Sequence, residues 1–312
     1  MSSRRVAALA VLGAVIGGLW TYSRREIRQY ESLELSEVEK PGRTVSIDGV
    51  GVHYVEAGTG PALLLIHGLG ASTFSFRRII PDLARHFRVV ALDLKGFGFS
   101  ERVDGDYSLG AQAVLVRQLM DRLGIEKASV LGHSMGGAVA MRLALAYPER
   151  VERLILASSA SDLELGHRIW GAAVIGRLLP LVAPFTFHNR RFRELSLKSG
   201  YSDPDRCTED VIEGYMLPAR VRGYLRVLGN TMAHWRRDPP LDPADITQPT
   251  LIVWGEEDRW LPPSRGERLH RLIPASRLEL VAGGGHLFLE EQPEAVLRLI
   301  EDFLMESEPA RR

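Results

Sequence analysis

Three regimes of hydrophobic and polar positions divide the chain. Val6 to Trp20 contains only apolar residues and glycine, with Arg4 and Arg5 before it and Arg24 and Arg25 after it. From Pro41 onward, short Val/Ile/Leu runs alternate with amphipathic stretches. Between Ser161 and about residue 240 the apolar bulk continues, but no run reads as a strand.

The alternating regime predicts strands at 44–47, 52–56, 62–66, 88–93, 128–131, 153–157, 250–254 and 276–281. The first two join through Asp48-Gly49, a dipeptide suited to the positive φ angles of a tight hairpin. The later strands are continuous apolar runs, as a parallel sheet covered on both faces requires. Helical spacing predicts helices at 76–84, 111–123, 135–147, 265–272 and 293–305. Strand followed by helix, repeated, predicts an α/β protein: a mostly parallel eight-stranded sheet with helices on both faces.

The middle regime is too long and too apolar for a plain loop. Ile169, Trp170, Leu178, Leu179, Leu181, Val182, Phe185 and Phe187, then Tyr215, Met216, Leu217 and Trp235, give it helical spacing. A helical cap over 161–240 is expected, inserted into a core formed by 41–160 and 241–306. Lying over the carboxyl ends of the strands, it would roof a substrate pocket. A tail covers 307–312.

The uncharged N-terminal run, extended to Ser23, approaches the thickness of a bilayer's hydrocarbon core at about 1.5 Å per residue. Flanking arginines, Trp20 and Tyr22 suit the membrane interfaces. The expectation is a single-pass anchor over 1–25 and a charged linker over 26–40. A signal peptide, giving a secreted or periplasmic protein after its removal, is the alternative; a buried or peripheral helix is the blandest reading. Gly13 and Gly17 form a G-x-x-x-G spacing that suits pairing of two such helices, hence a homodimer.

Composition narrows the chemistry. Lys+Arg and Asp+Glu both number 39, so no global field attracts nucleic acid. Hydrophobic residues at 45% supply ample core material. Cys207 is the single cysteine, which excludes an intramolecular disulfide and a cysteine-based zinc site.

Gly132-His133-Ser134-Met135-Gly136 lies between a predicted strand and a predicted helix, the setting of a G-x-S-x-G nucleophile elbow. A serine hydroxyl is a very weak acid and needs a neighbouring base as it attacks. His286, in a glycine-rich loop just past the last strand, is the candidate. A carboxylate must then fix the imidazole's tautomer. Asp258 follows the 250–254 strand and is the main candidate, with Asp162, Glu256 and Glu257 as competitors. The oxyanion donors should be the amides of Met135 and of Leu69, in His67-Gly68-Leu69-Gly70. His67 is read as a brace for that loop, and Lys95 as a solvated lysine.

These motifs resemble the α/β-hydrolase family. The resemblance runs from about Pro41 to Met305 and includes the elbow, His67-Gly68-Leu69-Gly70, the 93–100 segment, Tyr147-Pro148-Glu149-Arg150-Val151 and Gly255…Asp258 before Gly285-His286. Ser134 separates the chain from the related epoxide hydrolases and haloalkane dehalogenases, which use aspartate at the elbow. Carbon–carbon bond hydrolases of ring-cleavage products share Ser-Met-Gly-Gly and a similar Trp-Gly-x-x-Asp-Arg run, but often carry tryptophan where this chain has Leu287. Membrane-anchored monoacylglycerol lipases share the layout of span, linker and capped hydrolase.

The expected function is therefore a serine hydrolase of lipophilic carboxylic esters such as monoacylglycerols. It would work through an acyl-enzyme with no metal or organic cofactor. Carbon–carbon cleavage of a ring-cleavage diketone is the alternative, and a non-catalytic ligand-binding protein on the same fold the second.

Overall fold

A computed structural model describes residues 3–161, 186, 189–235 and 237–306, with side chains from Gly17 onward. Eight strands form one sheet: β1 (Arg43–Ile47), β2 (Val50–Ala57), β3 (Ala62–Ile66), β4 (Arg88–Leu92), β5 (Ala128–His133), β6 (Val151–Ala157), β7 (Thr250–Gly255) and β8 (Ser276–Val281). Their order is β1-β2-β4-β3-β5-β6-β7-β8. β2 runs antiparallel to β1 and β4, and the remaining pairs are parallel. The β1–β2 turn has Asp48 at φ 47° and Gly49 at φ 79°, as its sequence predicts.

Alternation along the central strands builds two cores. Leu64 and Ile66 face one cluster while Leu63 and Leu65 face the other. Helices α2 (Leu109–Arg122), α3 (Met135–Ala146) and α7 (Ser264–Leu272) cover the first face. α8 (Pro293–Met305) covers the second through Val296, Leu297, Ile300 and Phe303. The helix expected over 76–84 is instead a 3-10 turn at Thr73–Phe76 and one helical turn at Ile80–Leu83. Pro81 has no N–H and fits only a first turn, so it restarts the helix rather than continuing it.

The chain reverses its winding direction at β3, moving from β3 out to β4 and then back across to β5. The crevice between the carboxyl ends of β3 and β5 is the ligand position in such sheets. Above that edge lie α4 (Arg190–Ser199), α5 (Glu209–Ala219) and α6 (Tyr224–Trp235) of the cap. Ile169, Trp170, Leu178, Leu179, Leu181, Val182, Phe185 and Phe187 fall outside the described residues, as do Asp162 and the 307–312 tail.

The N-terminal segment corrects the membrane reading. Helix α1 runs from Ser3 to Tyr30, but no helix among the described residues is long and apolar enough to cross a membrane. The wholly apolar run Val6–Trp20 spans only about 22 Å at 1.5 Å per residue, short of the roughly 30 Å hydrocarbon core. Beyond it the same helix carries Arg24, Arg25, Glu26 and Arg28. The single-pass anchor, the membrane as partner and the transmembrane helix are thus not supported.

The expected linker is docked. Both Glu31 carboxylate oxygens accept backbone N–H bonds, from Gly223 and Leu225, at 2.8 Å each. Those amides are at the start of α6, so Glu31 caps a cap helix. Leu33 bridges Val221, and Arg193 of α4 donates to the Tyr30 hydroxyl at 3.2 Å.

Candidate active site

β5 ends directly in the elbow. Ser134 sits at φ 54°, ψ −120°, a conformation that costs a non-glycine residue energy and persists because its surroundings over-determine it. Its N–H donates to Ala157 O at 3.0 Å, and its carbonyl accepts from Gly137 and Ala160. The glycines are steric requirements. A Cβ at Gly132 would lie 2.3 Å from Gly136 O, and one at Gly136 would lie 2.1 Å from Ile66 O. Strand β5, helix α3 and the end of β3 meet at that point with no room for a side chain.

β7 and β8 deliver the other two groups. Asp258 follows β7 and is 4% exposed; His286 follows β8 and is 3% exposed. His286 Nδ1 donates to Asp258 Oδ2 at 2.8 Å. The other carboxylate oxygen accepts from the amides of Trp260 (2.9 Å) and Leu261 (2.8 Å). Burial pushes the Asp258 carboxyl up, but the bonds from His286 and the Leu261 amide outweigh it, so it lies below its ordinary value. The carboxylate is therefore fixed as an acceptor. Ser134 and His286 line the same cavity, of about 230 Å3. Glu257 is exposed, paired with Arg259 at 3.9 Å.

Leu69 lines this cavity just past the end of β3, and Met135 is the first residue of α3, directly after Ser134. Among the described residues neither amide donates to a turn or loop carbonyl. Gly68 brings the β3 loop so close to the nucleophile that an added Cβ would lie 3.0 Å from Ser134 Cβ. His67 does brace this loop: Nδ1 bonds Gly68 O at 2.7 Å and Nε2 accepts from Leu94 N at 3.0 Å. Burial lowers its pKa, consistent with a neutral ring. Lys95 lies over the Tyr107 ring at 4.9 Å rather than being freely solvated.

The histidine loop also rests on the cap. Leu287 N donates to Gly200 O at 2.9 Å, and a Cβ at Gly285 would lie 2.5 Å from that oxygen. Ser75, Phe192, Arg193, Tyr215, Tyr224 and Trp260 also line the cavity, with Arg193 the one permanent cation among the described lining residues.

Two neighbours of His286 have no sequence signal as site residues. Trp260, 41% exposed, tilts over the imidazole with ring centroids 4.9 Å apart. His133 lies on its other side at 5.0 Å and donates from Nε2 to the His286 carbonyl at 2.9 Å. Burial, and the proximity of His286, push His133 down to about 3, so the ring stays neutral. Its Nδ1 has no hydrogen-bond partner among the described residues. No group of three metal-ligating side chains occurs among the described residues.

An eight-stranded sheet with a serine elbow after β5, an acid after β7 and a histidine after β8 defines an α/β hydrolase. The chain belongs to that family: the model of the α/β hydrolase fold matches residues 61–293. It is 33% identical to the hydrolase YugF of Bacillus subtilis over 86% of this chain and 99% of that one. It is 28% identical to 2-hydroxy-6-oxo-2,4-heptadienoate hydrolase of Pseudomonas putida, over 84% of this chain and 96% of the relative. Among solved structures, a membrane phospholipase A described as a bacterial virulence factor aligns at TM-score 0.73 with 26% identity. That alignment covers 97% of this chain and 98% of the other.

Proposed function

We propose that the chain is a serine hydrolase that cleaves the carbon–carbon bond of a small vinylogous oxo-dienoate. Ser134 attacks the carbonyl carbon, and its proton passes to His286 Nε2 while Asp258 holds Nδ1–H. The Leu69 and Met135 amides hold the oxyanion. Collapse forms an acyl-Ser134 enzyme, the leaving carbon takes up the proton, and water activated by His286 releases the acid. The observation that carries the serine chemistry is the buried 2.8 Å His286–Asp258 bond beside a strained Ser134 in one cavity.

Two observations support the bond assigned. The P. putida relative acts on a 2-hydroxy-6-oxo-dienoate. Arg193 is the one permanent cation among the described lining residues, which suits a substrate carrying a carboxylate.

Hydrolysis of a lipophilic carboxylic ester by the same groups is the second reading. The phospholipase alignment favours it because it extends over nearly the whole chain, and Leu287 stands where ring-cleavage hydrolases often carry tryptophan. Steady-state rates on a 2-hydroxy-6-oxo-dienoate and on p-nitrophenyl esters of graded chain length separate the two. A kcat/KM for the dienoate at least about tenfold above the best ester supports carbon–carbon cleavage. Ester turnover with no dienoate cleavage overturns it in favour of the esterase. A fluorophosphonate that labels the wild type but not Ser134→Ala tests the nucleophile.

A further inference from the structure

A chain of buried hydrogen bonds leads from a carboxylate behind the cavity to a hydroxyl in its wall. Glu290 is 4% exposed and pairs with Arg77 at 2.6 Å. Its Oε1 accepts from the Tyr215 hydroxyl, and the Tyr215 oxygen lies 3.0 Å from Ser75 Oγ. Tyr215 and Ser75 are 5% and 3% exposed, and both line the cavity that holds Ser134.

Proton counting fixes the direction of this chain. An ionised carboxylate only accepts; burial raises the Glu290 carboxyl above its ordinary value against the opposing pull of Arg77 and Tyr215, and the 2.6 Å ion pair with Arg77 is the contact that favours the ionised form. Tyr215, whose burial raises its pKa well above the ordinary value, keeps its single proton and spends it on Glu290. The contact between the two hydroxyls then requires the Ser75 proton. With that proton directed at Tyr215, Ser75 Oγ turns only lone pairs toward the cavity.

We infer that Ser75 is a specificity residue that accepts a hydrogen bond from a substrate hydroxyl or N–H group, with Tyr215 and Glu290 as positioning residues that forbid it to donate. This rests on the Ser134 cavity being the substrate site. It extends that reading by assigning the substrate a donor group besides its scissile carbonyl. An ether or ester oxygen at the same place would meet a lone pair and be rejected.

The test uses the full chain and paired p-nitrophenyl esters: 3-hydroxybutyrate against 3-methoxybutyrate, and 6-hydroxyhexanoate against 6-methoxyhexanoate. Their activated leaving group serves either reading of the natural bond. The wild type should favour the hydroxy member of at least one pair by about tenfold in kcat/KM, chiefly through KM. Ser75→Ala should bring that ratio to about one, the hydroxy ester losing the acceptor and the methoxy ester being relieved of the opposing lone pair. Tyr215→Phe frees the Ser75 proton, so the methoxy ester should improve as the hydroxy ester weakens; a merely structural role would lower both. No preference in either wild-type pair, or equal loss of both esters in Ser75→Ala with an unchanged melting temperature, overturns the assignment. Failure of fluorophosphonate to label Ser134 instead overturns the site reading beneath it.

Discussion

His133 donates its Nε2 proton to the backbone carbonyl of His286 across 2.9 Å, so the residue preceding the elbow serine holds the loop that carries the proposed base. The two rings lie 5.0 Å apart, and a neutral His133 places no positive charge against the proposed base.

That neutrality makes stability depend on pH. His133 protonates near 6.5 in an unfolded chain but only near 3 in the fold. Between those values the unfolded chain binds more protons, so this contribution is full above pH 6.5 and is lost as pH falls toward 3. Its size is on the order of a few kcal/mol. Urea unfolding at pH 7 and pH 4.5 should show a larger loss for the wild type than for His133→Asn.

The elbow strain separates stability from activity. Ser134→Gly removes the nucleophile and relieves a φ of 54°. Thermal melts should show it stabilised by roughly 1 kcal/mol, with kcat lowered by about 10³-fold or more. Ser134→Ala should match the loss of activity without the gain in stability.

Asp258→Asn keeps the shape of the acid but cannot hold the protonated Nδ1 and still satisfy both amides. A fall in kcat of about 10⁴-fold is expected, with nearly native stability. Near-normal turnover would point to a different acid.

Gly136→Ala should fail to fold or lose more than about 3 kcal/mol, because its Cβ meets backbone from β3 at 2.1 Å. Soluble yield and circular dichroism read this directly.

Glu31→Gln tests the docking of the N-terminal segment on the cap. Replacing a charged cap of two α6 amides should cost roughly 1–2 kcal/mol in thermal melts. It should also raise KM, since Tyr224 of α6 lines the cavity.

The fold was legible because its signals are local. The Asp48-Gly49 turn marked the first two strands and continuous apolar runs the later ones, and Pro81 accounts for the misread helix at 76–84. That Ser134, Asp258 and His286 meet was legible because their positions follow strand ends, where topology decides what meets. His133, Trp260 and Ser75 were not. Their roles depend on ring contacts and proton direction across residues 26 to 153 positions apart, and no periodicity encodes those. The N-terminal segment misled for a related reason: apolar composition was plain, but the run falls several ångströms short of a bilayer.

The joint between Gly200 and the histidine loop bears on how the cap varies among such proteins. Because Gly285 and Leu287 are fitted to the Gly200 carbonyl, the cap is not an interchangeable roof. A cap transplanted from another hydrolase must bring a matching turn after its α4 equivalent, or it will displace His286. Recombination within this family should therefore succeed when the 200–202 turn and the 283–287 loop travel together, though they lie far apart in sequence.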